Sequence, residues 1–348
     1  MKITVVRHSI RKRGGDKLVL DYLAYFAERG HAIVYWTNEV NTTFPIHPAI
    51  QIKTIPFKGV IGTMLFGLVT HFETDVVLVD LVIMSVLMSL RNKNKMIYLA
   101  QDYDVLYHRH WFIRKLIDQC YWLALQVFKI STISVSTGLT AILQKYQPAH
   151  LTTIPNGIYL DRFYREQRSD HSKYRKNSFV ILLFARNDYR KGLDIGIKAL
   201  RSLKNMDTTS SSWEVWTIGS EAVEIEGVLV KNLGFLNTDE ELRSVMSAVD
   251  IYLVPSRSEG LSLLLLQALA CECVVVSTPV SWIIENGNNG LISPLEDADA
   301  LAKNLYRVMN EDPLRLKLKS ASRKLAENFS FPKSCVQFEQ TLLNLNKS

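Results

Sequence analysis

The sequence predicts an α/β protein made of two Rossmann-like, doubly wound domains that face an interdomain cleft. Three observations predict it. Short β-branched runs alternate with longer stretches of helical spacing along the whole chain. The 348 residues are enough for about two domains at roughly 150 residues each. A segment dense in Pro, Asn, Gly and charge lies near the middle of the chain.

Taken in order, the apolar runs at 3–6, 32–36, 75–80, 96–100 and 132–136 read as buried strands of a first domain. Those at 178–184, 213–218, 250–254 and 274–277 read as strands of a second, with helices over 191–205, 239–248, 262–271 and 297–309. The punctuated stretch IPNGIYLDRF (154–163) and the polar run at 165–178 form the expected linker, so the boundary falls near residue 156. Two such halves imply a ligand crevice between their strand ends.

Composition narrows the function. With 47% hydrophobic and 22% charged residues, disordered and low-complexity classes are excluded. The net charge of +7 is unevenly placed: residues 1–155 hold 17 basic and 10 acidic side chains, and the remainder holds 24 of each. Four cysteines without CxxC spacing argue against a zinc site or a disulfide framework and for a reducing, cytoplasmic setting. The opening run MKITVV is too short for a signal-peptide core, and no export is expected. Charges interrupt the apolar stretches 59–72 and 76–90 before the ~18 residues of a membrane span, so no bilayer crossing is expected. No Gly-x-Gly-x-x-Gly opens either half, which excludes a dehydrogenase, and no recognised nucleic-acid module accompanies the basic charge.

The most informative stretch is VDIYLVPSRSEGLSLLLLQALACECVVVS, an apolar strand, a polar loop and a helix that Ser262 can cap. Free N–H groups at that helix start make the loop of Glu259, Gly260, Leu261 and Ser262 an anion site suited to a diphosphate; the alternative is a capped helix that binds nothing.

These residues resemble the retaining glycosyltransferases of the GT-B fold, family four (glycosyl transferases group 1). The family carries PS, then EG-x-x-L, then a second Glu eight positions after the first. IPNGIYLDRF is similar to its interdomain PNG segment, FARNDYRKGLDIGIKAL to its Arg/Lys donor loop, and RGGDKLVLDYLAYFAERGHAIVYWT to its amino-terminal glycine loop and first helix. LGFLNTDEELRSVMSAVDIYLVPS is similar to the run before the Glu loop.

The resemblance implies a retaining, hexosyl-type transferase that needs no metal or other cofactor. It would move a sugar from a nucleotide-diphosphate-sugar donor to a glycan or lipid-linked acceptor in cell-surface polysaccharide assembly. It further implies an acceptor-binding domain at 1–155, rejoined by a C-terminal helix at 330–348 that Pro332 would bend, and a donor-binding domain at 156–329. Glu259, Arg186 and Lys191 take the catalytic positions, with Arg190 beside them expected in solvent. Gly260, Leu261, Ser262, Leu263, Gln267, Gly15 and Asn156 fall on the donor side, and Gly14, Asp16, Gln101 and Asp102 on the acceptor side. A simple turn at Gly14–Gly15 and a helix cap at Asp102 are the plainer readings. Gln267 stands where the family's ribose-binding second Glu is expected, a departure that weakens hydroxyl recognition by about 1–2 kcal/mol if nothing compensates. Ser262 and Trp282 also depart from the family pattern. A non-catalytic nucleotide-sugar-binding or membrane-associated scaffold, and a GT-B sugar-nucleotide epimerase, are the competing readings.

Residues 107–129, YHRHWFIRKLIDQCYWLALQVFK, join aromatics to basic side chains, and with KGVIGTMLFG (58–67) they suggest peripheral contact with an anionic membrane, at the inner face of the plasma membrane. The plainer reading packs these aromatics against the sheet.

Overall fold

The computed structural model describes residues 1–167, 179–206 and 213–345. The chain forms two compact units, Met1–Asn156 with Pro332–Ser348, and Gly157–Phe331. The expected linker residues 168–178 lie outside the described residues.

In the first unit the chain runs β1 (Lys2–Val6), β2 (Ser9–Arg11), α1 (Gly14–Glu28), β3 (Ala32–Thr37), β4 (Glu39–Asn41), β5 (Ile50–Thr54), α2 (Gly59–Val69) and β6 (Val76–Val79). It continues through α3 (Val82–Asn92), β7 (Met96–Ala100), α4 (Trp111–Trp122), β8 (Ser131–Ser134), α5 (Thr137–Gln144) and β9 (Leu151–Thr153). The main sheet is parallel throughout, in the order β5-β3-β1-β6-β7-β8-β9, with β2 and β4 paired separately. Helices cover its faces, so the central strands are uninterrupted apolar runs: every residue of VVLV and MIYLA is buried.

The second unit holds β10 (Phe179–Ala185), α6 (Leu193–Met206), β11 (Trp213–Gly219), β12 (Leu229–Asn232), α7 (Asp239–Ala248), β13 (Ile251–Val254), α8 (Leu263–Ala270), β14 (Val274–Ser277), β15 (Leu291–Ile292), α9 (Ala298–Asn310) and α10 (Asp312–Ala326). Its sheet is also parallel, ordered β12-β11-β10-β13-β14-β15. Its core joins Ile181, Leu183, Val215, Leu253 and Val276 of the strands to Leu200, Leu203, Leu301 and Leu305 of the helices. Glu214 is buried within β11 and is met by Trp216 Nε1 at 2.6 Å and Lys231 Nζ at 3.0 Å, which satisfies a charge that burial would otherwise penalise.

The described residues of the expected linker pack firmly on the second unit. Arg165 donates to the carbonyls of Val249 and Cys271, and Glu166 pairs with Arg243 at 2.7 Å. The two ends of this unit are stitched side by side: Ile158 N–H bonds Phe329 O, Phe331 N–H bonds Ile158 O, and a Cβ on Gly157 would lie 2.6 Å from the Phe331 backbone.

The last helix, α11 (Phe331–Leu345), corrects one expectation. Pro332 sits in its first turn, where the missing N–H costs nothing, so it starts the helix without bending it. Phe338, fully buried, meets Tyr22 and Phe26 of α1 edge-on at ring distances of 4.8 and 5.4 Å. Glu339 receives bonds from Arg29 and contacts His31 at 2.9 Å. Edge strands β5, β9, β12 and β15 were absent from the sequence expectation because runs such as IQIKT and LVKN are half exposed and lack a continuous apolar pattern.

Truncating the aromatic that joins the two chain ends of the first unit is expected to cost about 3–5 kcal/mol. Phe338→Ala should therefore lower the unfolding midpoint of that unit in a denaturant titration, while Val336→Ala, at an exposed site on the same helix, should leave it nearly unchanged.

Candidate functional site

Strand order reverses between β10 and β13 in the second unit and between β1 and β6 in the first. Diverging crossovers leave an opening outside the carboxyl ends of the strands at such points, where ligands of these sheets bind. Each unit places a polar cluster there.

In the second unit, Arg186 follows β10 directly and the chain turns through Tyr189–Lys191 before α6. Asp188 shapes the turn, accepting from the Arg190 N–H and from its guanidinium at 2.7 Å. Gly192 ends it at φ +63°, and a Cβ there would lie 2.0 Å from Pro255 O, so only glycine fits. The loop after β13 closes on this turn, with Arg257 N–H donating to Arg190 O at 2.6 Å. Lys191 Nζ thereby reaches both carboxylate oxygens of Glu259, at 2.7 and 2.8 Å, and Ser256 Oγ donates to the same carboxylate at 2.8 Å. Trp282 Nε1 donates to Glu259 O at 2.9 Å. Ser262 accepts from Leu265 N–H at 3.4 Å and caps α8, as its sequence position suggested.

The electrostatics are dominated by paired charges. Burial pushes the Asp188 carboxyl up, but the Arg190 hydrogen bonds outweigh it, Arg186 adds to them, and the group is held below its ordinary range. Hydrogen bonds from Arg257 hold Asp194 down in the same way, at 2.8 Å to each carboxylate oxygen. Arg190 corrects the expectation of a solvent-exposed charge: its side chain is 11% exposed and engaged with Asp188.

Of the expected residues, Arg186, Lys191, Glu259, Gly260, Leu261, Ser262 and Leu263 thus stand on two adjoining loops and one helix start, and Gln267 is buried one turn along α8. Gly15 and Asn156, expected on the donor side, belong to the first unit. Sequence reasoning gave no role to Asp188, Arg257 or Ser256. Position after a buried strand end at the switch point was the signal for the first two, and Ser256 also lies in the PS motif.

In the first unit, Arg7 follows β1 and Asp80 follows β6. Arg7 pairs with Asp16 at 2.7 Å and with Asp80 at 2.8 Å, and the Tyr35 hydroxyl accepts from it. Gln101 Nε2 donates to Asp80 at 3.0 Å, and its Oε1 stands 2.6 Å from where a Gly15 Cβ would lie. Burial pushes the Asp16 carboxyl up, against the pull of Arg7, and Asp80 adds to the rise. Gly14 and Gly15 open α1 over this cluster. The structure therefore gathers Gly14, Gly15, Asp16 and Gln101 around Arg7 and Asp80, which the sequence reading did not single out. The Asp102 carboxylate accepts the Tyr103 N–H at 2.8 Å at the start of the 104–107 turn. Asp104 caps α3 through Val82 N–H.

The aromatic segment divides. Ile117, Cys120 and Tyr121 of α4 pack inward, while Trp111, Phe112, Leu116 and Trp122 are exposed, Trp111 by 74%. On α2, Phe66 is buried, but Val60, Ile61, Leu65 and Val69 are exposed, Ile61 by 75%. Helix α3 packs against both, and Lys58, Arg114 and Lys115 are exposed among them. Among the described residues, no helix is long and apolar enough to cross a membrane.

Residues 178–311 match the family model Glycosyl transferases group 1. Over 198 residues the chain is 26% identical to the lipopolysaccharide glucosyltransferase WaaG of Escherichia coli K12, covering 52% of each protein. The sucrose-phosphate synthase of Thermosynechococcus elongatus shares the fold with a TM-score of 0.81 at 16% identity over 99% of both chains. HepE of Anabaena, solved with UDP-glucose, does so with a TM-score of 0.77 at 18% identity, over 99% of this chain and 100% of that one. The chain spans about half the length of the curated relatives it matches.

Breaking the Lys191–Glu259 pair from either side leaves a largely buried charge without its partner. Lys191→Met and Glu259→Gln are each expected to lower stability by about 1–3 kcal/mol, and the double variant by clearly less than their sum, in a double-mutant cycle of unfolding free energies. Strict additivity would show that the pair is not coupled.

Proposed function

We propose that this chain, which carries a glycosyl transferases group 1 domain in a GT-B fold, transfers a sugar from a nucleotide-diphosphate donor bound by the second unit. The observation that carries the reading is the convergence of Arg186, the Lys191–Glu259 pair and the capped start of α8 at the switch point of the sheet. HepE, of the same fold, binds UDP-glucose, which supports a nucleotide sugar as the ligand class.

The chemistry follows from charge. As the glycosidic bond breaks, negative charge builds on the departing diphosphate. Fixed cations and oriented N–H groups stabilise that state more than the ground state. Arg186, Lys191 and the first N–H groups of α8 supply this field without a metal ion. Lys191 is engaged by Glu259; a diphosphate that draws Lys191 toward phosphate would free the carboxylate of Glu259 for the sugar. The reaction retains configuration, with the leaving phosphate oxygen taking the acceptor proton and no side-chain nucleophile. Gln267 replaces a charged ribose partner with an amide. The acceptor, a glycan or lipid-linked sugar of polysaccharide assembly, is assigned to the first unit, whose Asp16, Gln101 and Asp102 offer hydroxyl-binding groups.

The exposed apolar residues of α2 and α4, with Lys58, Arg114 and Lys115 among them, suit peripheral docking on an anionic membrane that carries such an acceptor.

UDP-, GDP-, dTDP- and ADP-sugars, each added in EDTA, test the donor reading by thermal shift. One of them is expected to stabilise the chain, by about 2.7 kcal/mol at a hundredfold excess over Kd, and Arg186→Ala should abolish that gain. Silence across the panel would favour the scaffold reading. For the membrane, vesicles with 30% phosphatidylserine should sediment the chain about tenfold better than neutral ones, an advantage that high salt removes. The triple variant Ile61→Ser, Trp111→Ser, Phe112→Ser should remain in the supernatant.

A further inference from the structure

Trp282 is a large aromatic that touches the Glu259 loop, and its setting differs from that of an incidental surface residue. Its indole N–H is committed to the Glu259 carbonyl at 2.9 Å, and yet 39% of the residue is exposed. With its single polar side-chain atom engaged, the remainder of the side chain is apolar carbon. The residue is also held in place. Val280, Ser281 and Ile284 around it are buried, Ser281 N–H bonds Thr278 O, and Ile284 N–H bonds Ser281 O at 2.7 Å. The Ser277 and Ser281 hydroxyls at the base of this loop are buried without a hydrogen-bond partner among the described residues, so polar capacity is left unmet in the same loop. An aromatic ring anchored to the Glu259 loop is a poor match for a diphosphate and a good one for a pyranose, whose ring offers an apolar C–H face and a rim of hydroxyls.

We propose that Trp282 is a specificity-determining residue for the transferred sugar: its ring forms the wall against which the C–H face of the donor pyranose packs, beside Glu259. This rests on the reading of the Glu259 site as the donor site. The wall recognises the sugar and leaves the nucleotide to Arg186 and Lys191. It favours a hexopyranose whose ring face is free of axial hydroxyls.

The test separates sugar from nucleotide. The intact chain and its Trp282→Ala and Trp282→Phe variants are titrated by calorimetry with UDP, GDP, dTDP and ADP, and with the glucose ester of each. In the wild-type chain, one ester should bind more tightly than its own diphosphate. Trp282→Ala should weaken that ester about tenfold, equivalent to about 1.4 kcal/mol, while changing the free diphosphate less than about twofold. Trp282→Phe, which keeps a ring but loses the N–H, should recover some of the loss and shows that the effect is not one of folding. Equal weakening of ester and diphosphate, or no change in either, overturns the assignment of Trp282 while leaving the donor site standing. If none of the eight ligands binds the wild-type chain, the donor-site reading falls and this inference with it.

Discussion

The contact between Gly192 and Pro255 is the constraint on which the second unit's site depends. At φ +63°, with no room for a Cβ beneath the Pro255 carbonyl, Gly192 lets the turn after β10 lie directly against the loop after β13. The polar contacts between the two loops follow from that approach. Arg190 O receives the Arg257 N–H, Lys191 reaches Glu259, and Arg257 ties down Asp194 and Glu296. A side chain at position 192 would push apart the loops whose charges are set for one another, and the cost would fall on the geometry of Glu259 more than on the fold.

The two units solve the same problem with different balances of charge. Both bring a basic residue from the end of one central strand against carboxylates from its neighbours. In the first unit Arg7 is outnumbered by Asp16 and Asp80, and the Asp16 carboxyl, already raised by burial, is pushed further up by Asp80. In the second unit Arg186, Arg190, Lys191 and Arg257 stand at the same kind of strand end and are met by as many carboxylates, Asp188, Asp194, Glu259 and Glu296, of which Asp188 and Asp194 are held down. The overall excess of basic residues in the amino-terminal half is therefore not carried by the switch-point cluster of the first unit, where carboxylates outnumber Arg7. Some of it lies on the exposed helices, beside Ile61, Trp111 and Phe112.

Much of this was legible in the sequence. The buried parallel strands announce themselves because both faces are covered, which demands unbroken apolar runs such as VVLV, MIYLA and IYLV. Edge strands such as β5 and β9 meet no such demand and stayed hidden. Lys191, Glu259 and the Ser262 cap were found because local motifs carry them. Arg7, Asp80 and Arg257 were not, because each is a single charged residue whose meaning comes from a strand far away in the chain.

The α/β class, the central strands, the helix caps and the identity of the loop residues can be read from the chain alone, since they follow from short-range periodicity and local backbone preference. Which charges pair, that Pro332 opens a helix, that Arg190 is engaged, and that Trp111 and Phe112 face outward while Tyr121 faces in were settled by tertiary packing. Pairing and burial depend on strand order, and strand order is set by crossovers between segments distant in sequence. No local pattern records which strand end a given side chain will meet.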